Sequence, residues 1–282
     1  MTPSALPQAA DRRNSQPPAA ETLDPVIEFE HVSKFFPASG GQLLEVLRDV
    51  SFAVPRSRIV AILGQSGAGK STLLNLAAGL ILPDAGRVRV LGQDTRGTDA
   101  AVDWGLVGYM YQDDRLLPWR VAAKNVALAL EAGQMPAAER AKRALAALEL
   151  VGLAEFAGSY PHQLSGGMRS RVALARSLVG EPDVLLMDEP FSRLDAQTRG
   201  SMHRELLRIQ QLRRMSVLFV THDVEEAVVL ADRIIMLSPR PGRVRREIEV
   251  TFPHPRVGSV DAVALTAELR ASLEAANQEE NV

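Results

Sequence analysis

A glycine-rich loop between an apolar run and a helical pattern constrains the fold more than any other part of the sequence. The apolar run covers residues 58–63, the loop covers residues 64–71 and reads GQSGAGKS, and the helical pattern covers residues 72–80. A strand that enters a helix through a short loop is the unit from which parallel sheets are built. Because the N–H groups of the loop and the helix N-terminus converge, this end of the strand is expected to bind an anion.

Further apolar runs have the length and composition of buried strands. They cover residues 26–29, 108–111, 184–187, 217–220 and 234–237. The runs alternate with longer helical patterns, which is typical of a parallel sheet covered by helices.

The strand pattern disappears between about residues 113 and 165. Apolar residues recur there at helical spacing, as Ala141, Leu145, Leu148 and Val151. The sequence therefore predicts an α/β domain over residues 25–252 with an inserted helical subdomain at about 113–165.

The two ends of the chain differ from the domain between them. Residues 1–24 are rich in Pro, Ala, Ser and Gln without the apolar stretch of a signal peptide, so we expect a disordered tail. Residues 239–242 predict a turn and residues 244–250 a strand. Residues 253–282 are expected to form a short C-terminal extension with one helix.

Composition limits the partners and the chemistry. The 282 residues carry 32 Lys and Arg against 34 Asp and Glu, a net charge of −2 that argues against nucleic acid as a partner. The sequence contains no run of eighteen or more apolar residues, the length needed to span a bilayer. The chain contains no cysteine, which removes disulfides, thiolate metal sites and cysteine nucleophiles.

The glycine loop matches the pattern G-x-x-x-x-G-K-[ST] of phosphate-binding loops. Lys70 is expected to bridge the β- and γ-phosphates of a nucleotide, and Ser71 to offer its hydroxyl to Mg²⁺. The alternative is an ordinary glycine-rich turn, since the pattern arises by chance in about one chain in a hundred. The residues predicted to bind nucleotide here are Gly64, Gln65, Ser66, Gly67, Ala68, Gly69, Lys70, Ser71 and Thr72.

Two adjacent carboxylates follow the apolar run at residues 184–187. Asp188 is expected to hold a water molecule bound to Mg²⁺, and Glu189 to orient or deprotonate the water that attacks the γ-phosphate. A solvated strand end is the alternative for two such residues. Their place at the carboxyl edge of a parallel sheet, beside the glycine loop, favours phosphate chemistry.

A second possible anion site lies at residues 164–168, where Leu-Ser-Gly-Gly-Met begins a helical pattern. Ser165, Gly166 and Gly167 form a helix start rich in free N–H donors, although a plain capped amphipathic helix fits too. Together with residues 169–176, this segment resembles the signature of ABC-type ATPases. The resemblance covers about residues 26–250 and implies a P-loop NTPase (RecA-like) core with an ABC-specific antiparallel β part and an inserted helical subdomain.

The resemblance also implies how ATP and Mg²⁺ are bound. In this family two copies form a head-to-tail dimer, and the Ser165–Gly167 helix start of one copy faces the γ-phosphate held by the other. By resemblance, Phe36 stacks on adenine, Gln112 contacts Mg²⁺ and the attacking water, and His222 hydrogen-bonds the γ-phosphate and Glu189.

The loop that faces the dimer partner keeps the family's Asp195 but carries Arg193 where a small residue is usual. Arg193 could impede closure of the dimer or pair across it. Ser170 replaces a frequent glutamine.

Two segments resemble the nitrate, sulfonate and taurine importer branch of the family: residues 116–119 (LLPW) and residues 238–243 (SPRPGR). This implies a subunit that acts on separate transmembrane permease subunits, and indirectly on an extracytoplasmic solute-binding protein, at the cytoplasmic face of the inner (plasma) membrane. Trp119 is expected beside the groove for a permease helix, or packed inside the subdomain. The arginines of the second segment and the following strand are expected to lie on a solvated turn and edge strand, with an anion- or lipid-binding patch as the alternative; they are Arg240, Arg243, Arg245 and Arg246.

Three other functions fit the sequence less well. An ABC-type ATPase that acts on DNA or ribosomes usually carries long coiled-coil insertions or two cassettes, and this sequence has neither. A kinase or GTPase needs the glycine loop but not residues 164–168. A non-hydrolysing binding module is disfavoured because Lys70, Asp188, Glu189 and His222 are all present. The remaining histidines are expected to be surface or capping residues; they are His31, His162, His203 and His254.

Overall fold

The computed structural model describes residues 24–97 and 101–280, so the predicted tail lies outside the described residues except for Asp24. Two sheets form the framework. The antiparallel sheet has the order β2-β1-β4-β5, with β1 Pro25–Pro37, β2 Leu43–Pro55, β4 Ala85–Val90 and β5 Gln93–Asp94. The other sheet has the order β10-β9-β3-β8-β7-β6, with β3 Ile59–Leu63, β6 Val107–Met110, β7 Val184–Asp188, β8 Ser216–Thr221, β9 Arg233–Leu237 and β10 Val244–Glu249.

The second sheet is parallel apart from its edge strand β10, which pairs antiparallel with β9. Strand β3 lies at its centre and is buried along its whole length. Because successive side chains point to opposite faces of a sheet, β3 contributes to two cores. Ile59, Ala61 and Leu63 pack with the helices, whereas Val60 and Ile62 pack with α1 and the antiparallel sheet.

Seven α-helices surround the sheets: α1 Lys70–Ala77, α2 Ala122–Ala127, α3 Ala137–Leu150, α4 Gly166–Leu178, α5 Ala196–Arg213, α6 Val224–Leu230 and α7 Val260–Glu280, within the described ranges. Three begin at a side-chain cap. Ser165, Asp195 and Asp223 accept hydrogen bonds from backbone N–H groups at the starts of α4, α5 and α6. The α/β fold class predicted from the sequence is confirmed by this architecture.

Residues 113–165, all of them described, contain α2, α3 and short 3-10 turns but no strand. The prediction of which residues form the buried apolar face of α3 is partly wrong. Leu148 and Val151 are buried, but Ala141 and Leu145 are exposed, and Leu145 keeps 47% of its accessible surface. Helix α3 packs against α2 and α4, so its buried stripe runs through Ala144 instead. The boundaries of this subdomain stay a prediction.

Residues after 252 pack against the domain. Helix α7 lies on α6, with Leu269 fully buried. Arg256 is also buried, and its guanidinium donates to the carbonyls of Val228, Ala231, Val250 and Phe252. Burial lowers the pKa of Arg256. None of the helices in the described part of the chain is long and apolar enough to cross a membrane.

Candidate active site

The glycine loop connects the end of β3 to the start of α1 at Lys70. Gly67 and Gly69 have φ angles of 84° and 90°, a conformation that glycine adopts without strain. A Cβ on Gly69 would also lie 2.6 Å from a methyl group of Leu47. Both the backbone conformation and the close approach of β2 therefore require glycine at position 69.

Lys70 is buried, with 5% of its surface exposed. Its ammonium donates to the carbonyls of Gly64 at 2.9 Å and Gln65 at 2.8 Å, and lies 3.7 Å from Oε1 of Glu189. Burial lowers the pKa of Lys70, although the two nearby carboxylates oppose that effect. Because Lys70 begins α1 beside the N–H groups of the loop, its ammonium is suited to bind a polyanion such as a phosphate chain.

Asp188 ends β7, and its Oδ1 accepts a hydrogen bond of 3.0 Å from the Ser71 hydroxyl. Burial raises the pKa of Asp188, while the bond from Ser71 lowers it. A hydroxyl and a carboxylate are oxygen ligands of the kind that Mg²⁺ takes together with water and phosphate oxygens. The two residues therefore fit a magnesium ion, although the described contacts do not join the predicted third ligand, Gln112, to either of them.

Glu189 lies at the centre of the predicted catalytic residues. Its Oε2 accepts a hydrogen bond of 3.2 Å from Nε2 of Gln112 and lies 3.2 Å from Nδ1 of His222. The backbone of Glu189 is left-handed, with φ of 42°, and its N–H donates to the carbonyl of Val220 at 3.1 Å. Such a conformation costs of the order of 1–3 kcal/mol in a residue other than glycine, and it turns the side chain towards Gln112 and His222.

Ser192 stabilises this turn and was missed in the sequence. Its hydroxyl donates to the carbonyl of Glu189 at 2.9 Å, and its oxygen lies 3.4 Å from the Gln112 amide nitrogen. A serine three residues after a carboxylate is too common in turns to serve as a signal on its own.

A cavity of about 490 Å³ joins these residues to the antiparallel sheet. Its lining includes Phe36, which packs on the core, so Phe36 lies where an aromatic ring could contact a bound base. Leu44 pairs with Phe36 across β1 and β2 and was not predicted, because its position depends on the strand register. The full lining is Phe36, Leu44, Val46, Ser66, Gly67, Gly69, Lys70, Ser71, Thr72, Gln112, Asp188, Glu189 and Arg240.

The start of α4 does not line this cavity in the described chain; it packs beside the start of α5 instead. A Cβ on Gly167 would lie 2.5 Å from Cγ2 of Thr198. Ser165 accepts from the N–H of Met168 at 3.2 Å, and Asp195 accepts from the N–H of Thr198 at 3.0 Å. The starts of α4 and α5, which are expected to face a second copy, are therefore neighbours. Both lie away from the Lys70 cavity of their own chain.

Three expectations from the sequence change here. His203 lies inside α5 and is buried in a T-shaped contact with Phe191, so its assignment as a surface or capping residue was wrong. Trp119 is 71% exposed, which excludes its packing inside the helical subdomain. Arg193 forms an ion pair with Asp113 of its own chain.

Comparison with known proteins identifies the family of this chain. The model of the ABC transporter family matches residues 47–192. The chain is 43% identical over 242 residues to the taurine import ATP-binding protein TauB of Rhizobium johnstonii, covering 86% of this chain and 90% of that protein. It is 42% identical over 227 residues to the nitrate import ATP-binding protein NrtD of a Synechocystis species, covering 80% and 83%.

A solved structure agrees as well. The dimeric post-hydrolysis state of the ATP-binding cassette MJ0796, bound to ADP and Pi, superimposes with a TM-score of 0.69 at 32% identity, covering 80% of this chain and all of that one. The chain therefore belongs to the ABC transporter family, as an ATP-binding subunit of the nitrate, sulfonate and taurine importer type.

Proposed function

We propose that this chain hydrolyses ATP to drive separate transmembrane permease subunits that take up a small anion such as nitrate, a sulfonate or taurine. The observation that carries the proposal is the contact of Lys70, Gln112 and His222 with the single carboxylate of Glu189. A carboxylate held beside a phosphate loop in this way is suited to position water for attack on a γ-phosphate.

The chain's residues divide the chemistry between them. The loop amides and Lys70 bind the β- and γ-phosphates, and Phe36 stacks on the adenine. Glu189 orients the attacking water and accepts its proton, while Gln112 and His222 hold the carboxylate in place. Ser71 and Asp188, with Gln112 as the predicted third ligand, would hold Mg²⁺, which when bound would neutralise charge on the phosphates.

The site is completed by a second copy of the chain. Ser165, Gly166 and Gly167 begin α4 with N–H groups available to an anion, yet this helix start lies outside the Lys70 cavity. In the proposal it caps the γ-phosphate bound by the partner, and the adjacent Asp195 loop lies at the dimer contact. ATP binding closes the dimer and hydrolysis releases it. The dimeric state of the MJ0796 cassette supports this arrangement.

The permease docks at a cleft of about 340 Å³ between the parallel sheet and the helical subdomain. Trp104, Tyr111, Arg115 and Leu128 belong to its lining. The guanidinium of Arg115 lies 4.0 Å from the Tyr111 ring centroid. Tyr111 directly precedes Gln112 in the chain, so a segment bound in the cleft is one residue away from the group that contacts Glu189. This connection is how dimer closure reaches the membrane subunits.

The exposed side chains around the cleft suit a short amphipathic permease segment. Trp104 and Leu80 are exposed, and the Trp104 ring lies against Gly79, where a Cβ would be 2.3 Å from the ring. Apolar surface at a protein edge with an arginine at its base is typical of an interface. The chain then lies peripherally on the cytoplasmic face of the plasma membrane, and a solute-binding protein delivers the anion to the other side.

Uptake measurements test the proposal. Cells that lack the chain are supplied with the wild type or with Glu189→Gln, and uptake of labelled taurine, nitrate and an alkanesulfonate is compared. We expect the wild type, and not Glu189→Gln, to restore uptake of one of these anions. Normal uptake of all three anions in cells that lack the chain would contradict the assignment of the transported solute.

A further inference from the structure

Arg240 lies at the rim of the nucleotide cavity, in the turn between β9 and β10. Its Nε and Nη2 are each 3.4 Å from the carbonyl oxygen of Gly67. Nη2 is also 3.2 Å from the position that a Cβ on Gly67 would occupy. The guanidinium therefore rests directly on the phosphate loop, and it belongs to the same cavity lining as Lys70.

The turn that carries Arg240 is fixed to the framework on two sides. The N–H of Gly242 donates to the carbonyl of Val46 at 2.9 Å, and the N–H of Arg48 donates to the carbonyl of Gly242 at 3.0 Å. A Cβ on Gly242 would lie 2.2 Å from the carbonyl oxygen of Ala68 in the phosphate loop. Strand β2 and the loop itself thus determine where Arg240 is presented.

Ser238 closes the turn from inside. Its N–H donates to the carbonyl of Arg243 at 2.9 Å, and its hydroxyl oxygen accepts from the N–H of Arg243 at 3.0 Å. Because these bonds fix the backbone of the turn, Arg240 loses little further backbone freedom when its side chain binds a ligand.

The guanidinium of Arg240 has unused capacity for an anion. It carries five N–H donors, and its contacts within the described residues are the two long hydrogen bonds to Gly67. Lys70, by contrast, is already engaged by two carbonyls and by Glu189. A planar guanidinium matches phosphate oxygens in a bidentate manner, which an ammonium does not.

We propose that Arg240 binds the phosphate chain of ATP in its own chain, as a second cation of the nucleotide site. The proposal requires that the Lys70 loop binds ATP, and it does not depend on the permease, the solute or the dimer. It assigns to the turn at residues 238–243 a role in nucleotide affinity.

The test measures ATP binding by titration calorimetry with the full-length protein at a concentration where it is monomeric. We expect Arg240→Ala to weaken ATP binding about ten- to hundredfold, in keeping with the contribution of hydrogen bonds to charged groups. The dissociation constant of inorganic triphosphate, which has phosphates but no base or ribose, should rise by a similar factor when it is titrated alone. Arg240→Lys should recover part of the affinity, since it keeps the charge.

Arg243→Ala is the matched control. Arg243 lies in the same turn, but its side chain lines a different cavity beside Arg48 and Pro239. This variant should bind ATP like the wild type, and both variants should unfold at the wild-type temperature without nucleotide. Lys70→Ala, which should not bind ATP at all, tests nucleotide binding by the loop separately.

Three results would overturn the proposal. One is wild-type ATP affinity in Arg240→Ala. Another is an equal loss in Arg243→Ala, which would indicate a general effect of surface charge. The third is weakened ATP binding with an unchanged dissociation constant for inorganic triphosphate, which would place the contact on the base or ribose.

Discussion

Arg193 forms an ion pair with Asp113 inside one chain, and this pair ties the loop after the two site carboxylates to the segment after Gln112. Gln112 and Ser192, which directly precede the two partners, are also in contact. The Gln112 amide nitrogen lies 3.4 Å from the Ser192 hydroxyl oxygen. Arg193 thus has a partner within its own chain. From the sequence, Arg193 was expected either to pair with a second copy or to impede closure of the dimer. The pair helps to hold Gln112 beside Glu189.

Replacing either partner should therefore lower the ATPase rate. We expect Arg193→Ala and Asp113→Ala each to reduce the rate about two- to fivefold, in keeping with about 1 kcal/mol or less for an exposed ion pair. The double variant should be no slower than either single variant, because all three lose the same contact. Fully additive losses would contradict a direct pair. Arg213→Ala breaks another exposed pair, with Glu181, and serves as the control.

Glu189→Gln should separate ATP binding from hydrolysis. Glutamine is nearly isosteric and keeps an oxygen for Gln112, but it cannot accept the proton of the attacking water. We expect phosphate release to fall at least about a hundredfold while ATP binding is retained, and dimers to accumulate with ATP and Mg²⁺. Phosphate release and light scattering report the two effects. Hydrolysis near the wild-type rate would remove Glu189 from the catalytic role.

Asp188→Asn should stabilise the nucleotide-free protein near neutral pH. Burial raises the pKa of Asp188 in the folded state, so folding favours the protonated carboxyl. That contribution to stability is complete below the ordinary pKa of 3.8 and is lost as pH rises through the raised value. Asparagine does not titrate and still accepts from Ser71. The difference in the free energy of unfolding should therefore grow from pH 4 towards pH 7, measured by urea denaturation; a difference independent of pH would contradict this.

Arg256→Met should destabilise the fold without touching the nucleotide site. The substitution leaves several buried carbonyls at the ends of α6 and β10 without their donor. We expect the free energy of unfolding to fall by about 1–3 kcal/mol, the cost of unpaired buried polar groups. The exposed Arg270 of α7 gives the control, since Arg270→Met should change stability by less than about 0.5 kcal/mol. Equal effects of the two variants would show that burial of Arg256 is unimportant.

The sequence predicted the parts of this structure that depend on local patterns. The buried run at residues 184–187 and the glycine loop could be assigned because strand length, apolar content and glycine spacing are local properties. The exposed positions of Ala141 and Leu145 were not predictable, since helical spacing alone does not tell which side of α3 faces its neighbours. His203 was misassigned because histidine is intermediate among the residue types in how often it is buried.

Contacts between distant segments were the hardest to predict from the sequence. Arg240 and Gly67 are 173 residues apart, and their contact depends on how β9, β10 and β2 are joined. The place of Leu44 opposite Phe36 depends on a register with several irregularities between β1 and β2. Pairings of this kind come from topology, which no single stretch of sequence specifies.

In the proposed function, each ATP is held by two copies of the chain. The most direct test is an experimental structure of Glu189→Gln with ATP and Mg²⁺, in which the distance from the γ-phosphate to Ser165 is measured. We predict that the Ser165 hydroxyl and the first N–H groups of α4 from the opposite copy lie within hydrogen-bond distance of a γ-phosphate bound at Lys70. A closed assembly in which each γ-phosphate contacts residues of its own chain only, with both Ser165 side chains remote, would contradict the account.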